Sequence, residues 1–326
     1  MKRIACHAFA AVLLLTMSVV HAATPALPSN GNAISIVKVE LEAAAFAPDK
    51  PKIDIYLPPG YQADSAARYP VLYFNDGQDA AAVGVEAALE KLYAQRAIRK
   101  VIVVAIGMLP DRMGTYGLSD SKAGHSVAGG SRYGTVGARA HEYSEWVVSE
   151  LVPYIDARYR TEHDPADRAI LGWSLGALNA FNLGWQYPEV FGRVGAFSPS
   201  FWLASDRTDA ASVQNSRLAQ RMVETGPRHA GSRFWFAVGT AEETDDRDGD
   251  GIIDAVDDAR DLAAALGDLG YSYNPDYNSN NGLRAAPDAD VSLYLLEAGQ
   301  HNQSSWARML PPFLIWAYGV QPADTR

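Results

Sequence analysis

Arg168-Ala169-Ile170-Leu171-Gly172-Trp173-Ser174-Leu175-Gly176-Ala177-Leu178-Asn179-Ala180-Phe181 decides the fold, because a strand-like apolar run passes through Gly-x-Ser-x-Gly into a helix-like run. Glycines two before and two after the serine let the chain turn sharply where side chains would collide. Such a turn, a nucleophile elbow, pushes the serine hydroxyl out over the sheet edge, so Ser174 is the candidate nucleophile. The helix that follows points free backbone N–H groups at any negative charge developing on a bound carbonyl. The Leu175 amide is therefore half of a candidate oxyanion hole. Glycine and serine are common in turns, so the pentapeptide takes its meaning from the strand before it and the helix after it.

Outward from this stretch, short β-branched or aromatic runs recur at Ile34 to Glu40, Ile53 to Leu57, Val71 to Asn75, Val101 to Ile106, Val194 to Phe197, Phe234 to Val238 and Val291 to Leu296. With Arg168 to Trp173 they make about eight strands, several continuously apolar, as strands buried on both faces of a mostly parallel sheet must be. Helical patterns lie at Val85 to Arg96, Arg139 to Ile155, Leu175 to Tyr187, Val256 to Leu269 and Ser304 to Ala317. The alternation predicts an α/β architecture, a central sheet flanked by helices, in a single domain over residues 33–320. The stretch from Met108 to Gly137 is Gly-rich and without periodicity, which predicts a functional loop over the strand ends.

The N-terminus reads as a secretory signal. Met1-Lys2-Arg3 is basic, Ala8 to Val20 is apolar, and Val20-His21-Ala22 offers small residues for cleavage after Ala22. Residues 1–22 are thus expected to be removed, leaving a flexible leader at 23–32, no membrane anchor, and a periplasmic or secreted chain whose last residues, 321–326, form a tail. The only cysteine, Cys6, falls in the signal, so disulfides and cysteine nucleophiles are excluded from the mature protein. The formal net charge of −10 is local: Glu242 to Asp261 holds ten acids and two arginines, leaving −2 for the rest. No basic stripe is present, which argues against a nucleic-acid partner.

A serine hydroxyl needs a general base, and the base needs a third group to hold its tautomer. His301, in Ala298-Gly299-Gln300-His301-Asn302 after the last predicted strand, is the best-placed histidine. The acid is expected after the strand Phe234 to Val238, where Glu242 is the first choice, Glu243 the second and Asp245 a distant third. The loop Asn75-Asp76-Gly77-Gln78-Asp79 is positioned to supply the second oxyanion donor, the Gln78 amide.

Together, Asp76-Gly77-Gln78, Arg112, Gly-Trp-Ser-Leu-Gly, Ser198-Pro199-Ser200-Phe201-Trp202 and Gly299-x-His301 with Trp306 resemble the putative-esterase family over roughly Ile34 to Tyr318. That family includes esterase D, siderophore (enterochelin), feruloyl and acetyl esterases, and mycolyltransferases. The resemblance implies an α/β-hydrolase fold and carboxylic-ester hydrolysis with no catalytic cofactor, on a small-molecule or glycan-linked ester. It also implies Ser174 as nucleophile, His301 as base, Glu242 as acid, and Arg112 and Trp202 as pocket residues. Acyl transfer to an alcohol, amide hydrolysis, and an inactive calcium-stabilised binding module are the alternatives. Tyr116, Tyr133, Trp202 and Tyr273 are aromatic candidates for a substrate site.

One segment departs from that family pattern. Residues 246–257 read as an EF-hand-type loop, with Asp246, Asp248 and Asp250 at positions 1, 3 and 5, a glycine at 6, the Ile252 carbonyl at 7, Asp254 at 9 and Asp257 at 12. This predicts a structural Ca²⁺, although aspartate at position 12 is shorter than the usual glutamate. The loop starts three residues after Glu243, so an ion there would order the strand end that carries the candidate acid.

Overall fold

The computed structural model describes residues 33–61, 66–277 and 289–320. The expected signal, leader and C-terminal tail lie outside the described residues. Nine strands form the main sheet: β1 (Ser35–Glu40), β2 (Lys52–Leu57), β3 (Val71–Asn75), β4 (Ile102–Ile106), β9 (Arg168–Trp173), β10 (Arg193–Phe197), β11 (Arg233–Gly239), β12 (Tyr273–Asn274) and β13 (Val291–Leu296). Their order is β1-β2-β4-β3-β9-β10-β11-β13-β12. The β1–β2 and β2–β4 pairs are antiparallel and every other pair is parallel. Eight of these were expected from the sequence; β12, two residues long, is too short to show a pattern.

The apolar runs work by alternation. In β3, Val71 and Tyr73 join one core layer while Leu72 and Phe74 join the other. In β4, Ile102, Val104 and Ile106 face the first layer, Val103 and Ala105 the second. Successive side chains of a strand point to opposite faces, so a strand covered on both sides must be apolar at every position. The first layer is closed by helices Ala140–Trp146, Leu175–Gln186 and Asp254–Asp268, which contribute Trp146, Phe181 and Leu262. The second is closed by Val85–Ala94 and Gln303–Tyr318, which contribute Leu89, Met309 and Phe313.

The region from Met108 to Gly137 is more ordered than its composition suggests. It holds a short helix, Arg112–Thr115, and two small hairpins, β5 (Leu118–Asp120) with β6 (His125–Val127) and β7 (Gly129–Ser131) with β8 (Gly134–Val136). Three-residue strands rich in Gly and Ser are too short for alternation to register. The helix expected over Arg139 to Ile155 is also interrupted: five residues, Val147–Leu151, take the wider π form before Pro153, which has no N–H to give the ladder. Among the described residues no helix is long and apolar enough to cross a membrane.

Candidate active site

The parallel strands β4, β3, β9, β10, β11 and β13 all end on the same edge of the sheet, and the expected site residues lie on the segments that leave them. At the end of β9, Ser174 has φ 58° and ψ −126°, a conformation that costs a non-glycine residue about 1–3 kcal/mol and marks the elbow. The Ser174 N–H donates to the Phe197 carbonyl at the end of β10 (3.0 Å). Gly172 must be glycine, since a Cβ there would lie 2.2 Å from the Gly176 carbonyl oxygen. Helix Leu175–Gln186 starts at the next residue, so the Leu175 N–H has no intrahelical partner.

His301 and Glu242 are brought together. Imidazole Nδ1 lies 3.0 Å from Glu242 Oε2, with the carboxylate buried and the imidazole 41% exposed. A carboxylate oxygen accepts this bond from Nδ1–H, and in the neutral imidazole that tautomer leaves the lone pair on Nε2. The two loops are fastened backbone to backbone: Thr240 N–H donates to Leu296 O (3.0 Å) and Ala241 N–H to Gly299 O (2.9 Å). His301 is fixed from the other side because Asn302 caps helix Gln303–Tyr318, its side chain accepting from the Ser305 N–H at 3.0 Å.

Glu242 Oε1 accepts from the Gly239 N–H (2.7 Å) and from the Ser198 hydroxyl (2.6 Å). Ser198 is oriented by Trp306, whose indole N–H donates to its oxygen at 2.9 Å. The Trp306 ring also meets His301 edge-on at 5.6 Å and stacks on Trp173 of the elbow at 5.4 Å. The resemblance singled out Ser198 and Trp306 only as motif residues; their link to the acid was not legible. The available signal was positional: Ser198 follows β10, the neighbour of the strand that carries Glu242.

Glu243 and the Asp245 backbone are engaged with the acidic loop and the helix that follows it. Glu243 Oε1 accepts the Ala255 N–H in the first turn of helix Asp254–Asp268 (2.7 Å), and burial raises its pKa. The Asp245 carbonyl accepts the Asp254 N–H at 2.8 Å.

On the β3 loop, Asp76 adopts the left-handed conformation (φ 59°) before the turn Gly77–Asp79. Its buried carboxylate receives two parallel hydrogen bonds from Arg112, from Nε and Nη2, both 2.7 Å. Arg112, expected to face the substrate, is thus engaged with the loop. Gln78 bridges the same loop, its amide donating to Asp76 Oδ1 (3.1 Å) and its Oε1 accepting the Met108 N–H (2.9 Å). Asn75, at the end of β3, donates to the Gly176 carbonyl at 2.9 Å and so ties this loop to the elbow helix.

A cleft of about 600 Å³ borders the acid's loop, lined by Tyr133, Trp202, Arg132, Arg207, Glu243 and Asp245 among others. It does not include Ser174 or His301. Tyr133 is 72% exposed, with Arg132 over its ring at 4.8 Å; Arg207 lies over Trp202 at 5.5 Å. Of the other aromatic candidates, Tyr116 is fully buried with its hydroxyl on the Asp76 N–H (3.0 Å), and Tyr273 lies on the edge strand β12.

In the acidic loop, carboxylate oxygens of Asp246, Asp248 and Asp250 lie within 4.8 Å of one another, all exposed. Asp246 organises the turn by accepting the N–H groups of Gly249 (2.8 Å) and Gly251 (3.0 Å). Asp257 is near enough to feel the group: burial, and then the charges of Asp250 and Asp248, push its pKa up to about 6. Asp254, the expected ninth-position ligand, stands apart. It accepts the Arg247 N–H at 2.7 Å and pairs with the Arg247 guanidinium at 3.1 Å. Arg247 and Arg217 both pair with the buried Asp258, anchoring the helix that follows the loop.

A mostly parallel sheet with an elbow serine at one strand end and a His–carboxylate pair on later loops is the α/β-hydrolase arrangement. The family described as "Putative esterase" matches residues 44–317, and the chain belongs to that family. Among curated proteins, it is 26% identical over 151 residues to the uncharacterized protein YbbA of Bacillus subtilis, covering 46% of this chain and 57% of that one. It is 28% identical over 171 residues to an endo-1,4-beta-xylanase/feruloyl esterase of Xylanibacter ruminicola, covering 49% of this chain and 21% of that one. The matched stretches thus span little more than half of these relatives at most. Among solved structures, a ferulic acid esterase superposes with a TM-score of 0.61 at 18% identity, over 88% of this chain and 100% of that one. The enterobactin esterase of Shigella flexneri gives 0.61 at 16%, over 88% and 60%. At these identities the structural likeness concerns the fold.

Proposed function

We propose that the protein is an exported serine esterase in which Ser174, His301 and Glu242 act as a triad. The observation that carries the reading is the 3.0 Å bond between His301 Nδ1 and the buried Glu242, which leaves Nε2 as the base on the edge where the elbow presents Ser174. His301 Nε2 takes the Ser174 proton as the oxygen attacks the ester carbonyl. The Leu175 and Gln78 amides receive the oxyanion, and Glu242 steadies the imidazolium. The imidazolium protonates the departing alcohol, and water, deprotonated by the same nitrogen, then cleaves the acyl-enzyme. The exposure of His301 gives water access, which favours hydrolysis over acyl transfer. No catalytic cofactor enters this sequence.

Hydrolysis of short-chain p-nitrophenyl esters tests the class, and a panel of feruloyl, catecholate and acetyl-sugar esters tests the substrate. The feruloyl and enterobactin esterases among the relatives motivate that panel of small-molecule and glycan-linked esters. Inertness toward all of them would favour the binding-module reading instead.

Gly77 tests the oxyanion assignment. A Cβ there would lie 2.7 Å from the Ala105 carbonyl carbon and 2.9 Å from Ile106 backbone atoms, so Gly77→Ala must lift the loop off β4 and swing the Gln78 amide away. Turnover is expected to fall about 100-fold or more. An unchanged rate removes Gln78 from the mechanism.

We also propose a structural calcium ion on Asp246, Asp248, Asp250 and Asp257, with the Ile252 carbonyl, and with Asp254 contributing at most through water. Three converging carboxylates and the raised pKa of the fourth fit a hard dication, which would offset their repulsion. Calcium at about tenfold over its dissociation constant is expected to stabilise the fold by about 1.4 kcal/mol. Thermal melts with calcium and with chelator check this; identical melting temperatures would refute it.

A further inference from the structure

We propose that Arg112 is a positioning residue that keeps a buried carboxylate from opposing the oxyanion, rather than a contact for substrate. The inference rests on the Ser174-centred reading above. Asp76 sits against the first turn of the elbow helix: a Cβ built on Gly176 would lie 2.6 Å from Asp76 Oδ2. An acidic group is thereby held beside the helix start, whose free N–H groups are assigned to the developing oxyanion. A lone negative charge there would repel that oxyanion through a medium that screens poorly. The carboxylate cannot turn to water, since its side chain is only 1% exposed.

Everything around Asp76 fixes it in place. Its left-handed backbone, uncommon for a residue with a side chain, is held by its own N–H on the buried Tyr116 hydroxyl and by the Asp79 N–H on its carbonyl. The Arg112 fork closes on both carboxylate oxygens and lies over the Tyr116 ring at 5.2 Å. A guanidinium with two parallel hydrogen bonds is the strongest partner available for a carboxylate, and it sets direction as well as charge. Asp76 therefore shapes the turn that aims the Gln78 amide, and Arg112 cancels the charge this shaping places next to the oxyanion.

Two roles for Arg112 separate in a double-mutant experiment with p-nitrophenyl acetate, a substrate with no charge for an arginine to hold. Arg112→Met is expected to lower kcat about 100-fold, the scale of losing an oxyanion donor, with KM changed less than about threefold. Adding Asp76→Asn, which removes the charge and tolerates the left-handed backbone, is expected to restore most of that loss. Arg112→Lys, which keeps the charge without the fork, should fall between and covers the case in which the methionine variant does not fold. A boronic acid that mimics the tetrahedral intermediate should lose affinity in Arg112→Met by the same factor as kcat/KM. A loss confined to KM, or no recovery with Asp76→Asn, overturns the proposal. Fluorophosphonate labelling of the wild-type protein separates the two levels: absence of a label on Ser174 removes the serine-esterase reading and this proposal together, whereas a labelled Ser174 with no recovery removes this proposal alone.

Discussion

Ser174→Ala is expected to lower ester turnover by about 10⁵-fold or more while leaving the fold intact. Removing a triad nucleophile eliminates the covalent route, and what survives is the residual acceleration from binding and the oxyanion site. The residue is only partly buried, so little loss of stability is expected. A companion variant separates chemistry from strain. Ser174→Gly should be equally inactive yet more stable by about 1 kcal/mol, because glycine adopts φ 58° and ψ −126° at no steric cost. Steady-state turnover and thermal melts on the two variants check both statements. Retained turnover in Ser174→Ala would move the nucleophile elsewhere.

The second large effect distinguishes two adjacent glutamates. Glu242→Gln is expected to reduce kcat about 10⁴-fold, since the amide can present an N–H to His301 Nδ1 and favour the tautomer that has no lone pair on Nε2. It also exchanges the carboxylate that accepts from Gly239 and Ser198 for a weaker acceptor. Glu243→Gln should keep turnover within about threefold of wild type. It weakens only a charge-assisted bond at a helix start, worth about 1 kcal/mol of stability. The opposite pattern would exchange the roles of the two residues.

The strands and the elbow were legible in the sequence because their physics is local. Unbroken apolar runs report burial on two faces, and a serine between spaced glycines reports a sharp turn. His301 was legible from its place after the last strand. Glu242 and Glu243 could not be separated in the same way, because the choice depends on the Ala255 N–H, which claims Glu243 from across the acidic loop. The pairing of Arg112 with Asp76, 36 positions away in the chain, was likewise not legible from the motif that singled Arg112 out. The partner of Asp254 was hidden for a similar reason: a periodic motif does not show that Arg247, inside the loop, folds back to pair with that carboxylate. Pairings of charged side chains distant in sequence leave no periodic trace, and they account for most of what sequence reasoning missed.

The strand order has a kinetic consequence. The site draws on loops after β3, β9, β10, β11 and β13, so no contiguous fragment contains it, and the His301–Glu242 bond depends on the parallel β11–β13 pairing that sets Gly239 opposite Leu296. Parallel pairings close long stretches of chain before contacts compensate, which makes them late and slow events in folding. The helices and individual strand pairs can form with no site at all. On the proposed reading, catalytic competence therefore requires every one of these long-range pairings at once, and a molecule that lacks one of them lacks the site.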